Sequence, residues 1–181
     1  MDTFRIEASP FDKNDFIRLQ LIKWKIHNIK SRKQIKNSSI ASGIFLVLWL
    51  ITRTNKESSN LYLFMCISLF IGTLLLVFLW IFSTQIYTHM IKKVAEKYES
   101  MKMICTLEFS DESVKYWDNE KKIEYNWSVF TNYSIYKNYL LLILNDSVIN
   151  SYMYEKTEKD IDEYNRILEI AKSKLEYKEI K

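Results

Sequence analysis

Two histidines, His27 and His89, and two cysteines, Cys66 and Cys105, are the residues of this chain best suited to metal or thiol chemistry. A zinc site needs three or four such ligands at short spacing, and here no two of them share a motif. A disulfide framework needs more cysteines than these, which suit a reducing compartment. Only two glycines occur, Gly43 and Gly72, both inside apolar runs. A phosphate cradle or dinucleotide turn needs several, because backbone N–H groups must approach the phosphate closely. Carboxylates remain. Asp111 and Glu112 are adjacent, so on a strand they point to opposite faces and cannot act as an acid/base pair. Glu155, Glu158, Asp160, Asp162 and Glu163 cluster opposite no obvious base, and the first turn of a helix favours anions anyway. Ser83 and Thr84 stand near His89 with no acid in the same run. The expectation is a protein that is not an enzyme, with no cofactor and no metal site.

Hydropathy shows which elements must position everything else. Residues 61–86 form an uncharged run of 26. At 1.5 Å per residue that is about 39 Å of helix, enough to cross a hydrocarbon core of about 30 Å with tilt. A second uncharged run, residues 37–52, has 16 residues. It reaches about 24 Å and crosses if Lys36 and Arg53 snorkel; a re-entrant segment is the other reading. Residues 53–60 are polar, the length of a tight connection between two helices. The expected layout is therefore an N-terminal segment 1–36, a hairpin 37–91 with spans near 37–52 and 61–88, and a domain 92–181.

Charge orients the hairpin. Residues 1–36 carry nine basic and four acidic residues, a net of +5, whereas the connection carries +1 and residues 92–181 carry −2. Cations flank both outer ends, so the positive-inside rule puts both termini in the cytoplasm. Lys23, Lys25, Lys30, Arg32, Lys33, Lys36, Lys92 and Lys93 are the candidates for contact with anionic lipid. A nucleic-acid footprint would need a basic folded domain, so no nucleic-acid partner is expected.

The local patterns are specific enough to test. Phe4, Ile6 and Ala8 alternate as in a short strand, and this strand should join the sheet of the domain that follows the spans. Asp12 then reads as a helix N-cap with Asp15 at N3 and a Phe11–Phe16 staple. Leu19, Ile22, Ile26 and Ile29 line one face of that helix, which either lies on the membrane or packs on the protein's own domain. Ser39 and Gly43, like Ser68 and Gly72, are four apart and form the expected face for helix–helix packing. Beyond residue 101 the period changes to two. Six strands are expected, near 103–109, 113–117, 122–127, 132–136, 139–144 and 148–153, joined as an antiparallel meander. Asn and Asp in the turns replace glycine, Trp127 reads as a core anchor, and 139–144 is apolar enough to be covered on both faces. A closing helix is expected over 157–177, capped by Thr157, with Ile161, Tyr164, Leu168, Ala171 and Leu175 facing the sheet.

The stretch FSDESVKYWDNEKKIEYNWSVFTNYSIYKNYLLLILN, residues 109–145, resembles the YcxB-like membrane proteins of bacteria. The likeness lies in the turn Ser110-Asp111-Glu112, in Trp127 after the third strand, and in the aromatic-then-aliphatic strand at 139–144. With the two spans it covers most of the chain. At 151–156 the chain departs from the family, reading Ser-Tyr-Met-Tyr-Glu-Lys where a segment like Ile-Pro-Lys-Arg is usual. The resemblance implies an α+β membrane protein: a transmembrane hairpin and a cytoplasmic pleckstrin-homology-like (PH-like) antiparallel β domain capped by a C-terminal helix. The expected function is non-enzymatic: binding of a protein or a lipid headgroup at the cytoplasmic face of the bacterial inner membrane. An immunity protein against a membrane-acting toxin is the alternative. Membrane lipids and one protein are the expected partners.

Overall fold

The computed structural model of the protein describes residues 4–6, 11–52, 56–157 and 160–180. Helix α1 (Lys13–His27) begins where its sequence dictates. The Asp15 N–H donates to Asp12 Oδ1 at 2.9 Å, and the Phe11 and Phe16 rings meet at 5.4 Å. Cap and staple are both formed, and Tyr98 packs edge-on against both rings. The helix breaks at Asn28 instead of running on into the first apolar segment.

Two longer helices follow, α2 (Ile29–Ile51) and α3 (Lys56–Ser100), of 23 and 45 residues. Ile29–Ile51 and Asn60–Ser100 are long and apolar enough to span a membrane. Both run past the expected limits of the spans. Large apolar side chains stand exposed along them, Ile51 at 71% and Phe64 at 69%.

The chain forms two compact units, Met1–His27 with Ile91–Lys181, and Asn28–Met90. Strand β1 (Phe4–Ile6) therefore folds with strands more than a hundred residues downstream, not within a separate 1–36 segment. It pairs antiparallel with β2 (Thr106–Phe109), Phe4 opposite Phe109. An isolated three-residue strand could not satisfy its backbone, and the edge of β2 supplies the partner. The remaining residues of the strand expected at 3–8 lie outside the described ones. Next come β3 (Ser113–Trp117), β4 (Lys122–Asn126), β5 (Phe130–Tyr136), β6 (Tyr139–Leu144) and β7 (Ser147–Glu155).

All six downstream strands exist, but they do not make one meander. They form two antiparallel sheets, β1-β2-β3-β4 and β5-β6-β7. The break is a single 3-10 turn, Trp127–Val129. Trp127 is the core anchor the sequence predicts: it is 8% exposed, and its indole N–H donates to the Ser110 carbonyl at 2.9 Å. Burying that ring turns the chain out of β4 and starts the second sheet. Asn145 and Asp146 take positive φ in the β6–β7 turn, as expected of these residues. In the β5–β6 turn Lys137, not Asn138, does so.

Strand β6 is covered on both faces, since Leu140, Leu141, Leu142 and Ile143 are all buried. Leu140 and Leu142 join a core with Phe109, Val114 and Trp127 and with Tyr164, Ile167 and Ala171 of α4 (Ile161–Lys174). Thr157 does cap, but from outside the helix. It accepts the Asp160 N–H at 3.2 Å and donates to Asp160 Oδ2 at 2.9 Å, so α4 starts only at Ile161. The helix also ends before 177. Tyr133 N–H donates to Glu176 O at 3.0 Å and Lys178 N–H to Tyr133 O at 2.9 Å. The tail thus covers the open edge of β5.

Within the second unit α2 and α3 pack antiparallel, but not on the glycines. Ser38 Oγ and Thr73 Oγ1 are 2.6 Å apart, and Ser42 Oγ donates to the Cys66 carbonyl at 3.4 Å. Ser42 and Thr73 are buried, whereas Ser39, Gly43 and Ser68 are exposed. A Cβ built on Gly43 or Gly72 meets nothing within 4 Å. The expected stripe was one residue off, about 100° around the helix. Hydroxyl and thiol hydrogen bonds, not smallness alone, select the contact face. Gly72→Ala is therefore expected to leave the melting temperature in detergent unchanged or slightly raised, through helix propensity. Ser42→Leu should cost about 1–3 kcal/mol by overpacking, read from the same melting curves.

Candidate functional site

The cationic set of the sequence analysis separates in the structure. Lys25, Lys30, Arg32, Lys33, Lys36, Lys92 and Lys93 are exposed. Lys23 is not; it is 8% exposed, and its ammonium donates to the Ser151 carbonyl of β7. Burial pushes its pKa down to about 8. It lies under the contact of α1 with β7, so it leaves the lipid-facing set. Ile26, on the same face, is 2% exposed. Lys23 and Ile26 of α1 thus pack on the protein's own unit, while Leu19 and Ile22 are half-buried.

That docking creates the candidate site. Where α1, β7 and α4 come together, a cavity of about 480 Å³ opens. Ile6, Leu19, Met153 and Ile167 give it an apolar wall. Asp15, Glu155, Asp160 and Glu163 give it acid, and among the lining residues Arg18 is the one base.

Arg18 is fully engaged. Its Nε donates to Asp15 Oδ1 at 3.1 Å, and its Nη1 donates to Glu155 Oε1 at 3.1 Å and to the Tyr139 hydroxyl at 3.0 Å. The Tyr139 hydroxyl in turn donates to Glu155 Oε1 at 3.0 Å. These bonds, those from Arg18 first, hold the Glu155 carboxyl below the usual carboxylate range. The acidic cluster thus has a base after all, supplied from 137 residues upstream. No local pattern could have shown it.

The other half of the cavity lacks such compensation. Glu163 forms no ion pair among the described residues. Burial, and then the neighbouring Asp160 charge, hold its pKa above the ordinary value. Tyr154 also lines the cavity. Its hydroxyl is buried, with no hydrogen-bond partner among the described residues. Burial first, then Tyr152 and Glu163, push its ionisation well above the usual phenol range. No family model, curated protein or solved structure matches the chain. The functional reading therefore rests on this geometry.

Two features matter chemically. Among the described lining residues Arg18 faces four carboxylates, and it pairs with Asp15 and Glu155 but not with Asp160 or Glu163. The Tyr154 hydroxyl, buried without a partner among the described residues, costs the fold free energy. No local pattern marks Tyr154, Arg18 or Tyr139 as site residues. Tyrosines are common on strand faces, and only tertiary packing decides which hydroxyl is stranded.

Proposed function

We propose that this chain is a membrane-anchored, non-enzymatic binding protein, with a PH-like β unit on the cytoplasmic side of a two-helix hairpin. One observation carries the reading: the segments before and after the apolar hairpin fold into one unit. Two flanks of a single folded unit must lie on the same side of a bilayer, which two crossings allow and one does not. Two further features support it. The apolar side chains along α2 and α3 stand exposed, as lipid-facing positions are. Seven strands in two antiparallel sheets closed by a C-terminal helix fit a PH-like domain and the YcxB-like resemblance.

Exposed cations on α2 and near the end of α3 would meet anionic lipid, each contributing about 1 kcal/mol when well placed. The acidic cavity favours a protein over a phosphate-bearing headgroup as the ligand of the β unit. Single cysteines in a background lacking Cys66 and Cys105 test the topology. A cysteine at position 58 should label from outside intact cells, and cysteines at Lys115 and Lys121 only after lysis. Equal labelling of all three from outside would overturn the reading.

A further inference from the structure

Between the outer ends of α2 and α3 we infer a binding site for the headgroup of one anionic phospholipid of the cytoplasmic leaflet. The inference rests on the reading of the hairpin as membrane-spanning and names the lipid chemistry that its cytoplasmic end selects. The two helices touch at Ser38 and Thr73, whose hydroxyl oxygens are 2.6 Å apart. Beyond this contact, toward the outer ends, a groove of about 160 Å³ opens between them. Its α3 wall includes Leu76, Leu79 and Trp80, and its α2 wall carries Ser31 and Gln34, both exposed. Arg32 reaches across from α2, its guanidinium carbon 5.8 Å from the centre of the Trp80 ring.

Depth and charge decide what fits. Thr73 stands at the middle of the uncharged run 61–86. Trp80 and Ser83 follow it by about 10 and 15 Å along the helix, and half a hydrocarbon core is about 15 Å. The groove therefore lies where acyl chains give way to headgroups, the level at which tryptophan settles. Glu57, at the start of α3, is the one acidic residue among positions 28–90, whereas Lys30, Arg32, Lys33 and Lys36 all lie on the first turns of α2. None of these four cations forms an ion pair among the described residues. The charge left over at this level is positive, and the bilayer presents phosphate to it. The guanidinium fork of Arg32 fits phosphate oxygens, and Ser31 and Gln34 add neutral donors. A choline or ethanolamine group would bring a second cation into the same field, so lipid without one is preferred. At about 160 Å³ the groove takes a headgroup only, and the acyl chains lie on the exposed Leu76 and Leu79.

The test uses delipidated full-length protein in a neutral detergent, with bound lipid counted by native mass spectrometry. Dioleoyl phosphatidylglycerol is the probe. Dioleoyl phosphatidylcholine, with the same chains and an added cation, is the comparison. One phosphatidylglycerol per chain should bind at least tenfold tighter than phosphatidylcholine. Arg32→Gln should weaken that binding about tenfold. Ser31→Leu fills the groove and keeps every charge; it should weaken binding about fivefold, with the lipid-free unfolding temperature unchanged or higher. Equal binding of the two lipids would overturn the inference. Full binding by Ser31→Leu would do so as well, by showing that diffuse surface charge is enough. Glycerol 3-phosphate binding as tightly as the lipid would make a soluble phosphate ester the ligand and overturn it too. The cysteine labelling tests the topology separately. Expected labelling with unselective lipid binding removes this inference alone. Failed labelling with selective binding through Arg32 and Ser31 removes the cytoplasmic placement and leaves the chemistry of the groove standing.

Discussion

Phe109→Ala is expected to destabilise the folded β unit by about 3–5 kcal/mol, a large part of the roughly 5–15 kcal/mol that holds a typical domain together. Phe109 is fully buried at the end of β2. Its ring stands 6.3 Å from Phe4, 6.4 Å from Trp127 and 6.0 Å from Tyr154. One side chain thus joins the N-terminal strand, the turn between the sheets and the edge strand that borders the cavity. Alanine would leave a void that three separate segments would have to collapse into, and β-sheet geometry resists that. Urea unfolding of the full-length protein in nanodiscs measures the loss. Amide exchange at Phe4–Ile6 should accelerate first, because β1 is a three-residue strand whose pairing with β2 and ring contact with Phe109 both depend on this side chain's position. A loss below about 1 kcal/mol would show that the aromatic cluster does not bind the segments together.

The second large effect concerns Lys23 and pH. Its pKa is about 8 in the folded protein and 10.5 when unfolded and solvated. Below pH 8 both states carry the proton, and the full cost of burying the ammonium, on the order of 3 kcal/mol, is present. Between pH 8 and 10.5 the unfolded chain binds the proton and the folded one does not. Stability therefore rises with pH in that window, by about 1.4 kcal/mol per unit from this residue. Tyr152 and Tyr154, whose ionisation burial holds back, work in the opposite direction once unfolded phenols titrate near pH 10. Comparison with Lys23→Met isolates the lysine. Methionine keeps the packing without the charge and should be more stable than the wild type at pH 7 by about 2 kcal/mol. That advantage should shrink steadily from pH 8 to 10.5. Parallel stability curves for the two proteins would mean that the ammonium is not desolvated as its burial under β7 implies.

Much of this molecule was legible as one-dimensional pattern. The apolar runs foretold two long helices, because a helix too apolar for water needs no long-range information to be recognised. The Asp12 cap, the Phe11–Phe16 staple, the Thr157–Asp160 exchange and the Asn145-Asp146 turn involve residues within a few positions of one another. Such signals are read locally and form locally. The strand pattern and the burial of Trp127 followed from alternation and residue type for the same reason.

Tertiary packing decided the rest. Nothing in the local pattern of Lys23 separates it from Lys25, yet one lies beneath a sheet and the other in solvent. Small residues marked both hairpin helices, but whether Ser39 or Ser42 faces the partner is a rotation that only packing sets. The split into two sheets depends on which way a buried indole turns the chain. The cavity is the clearest case. Its Arg18–Glu155 pair and its stranded Tyr154 hydroxyl arise where α1 meets an edge strand far downstream, and no window of sequence contains both sides.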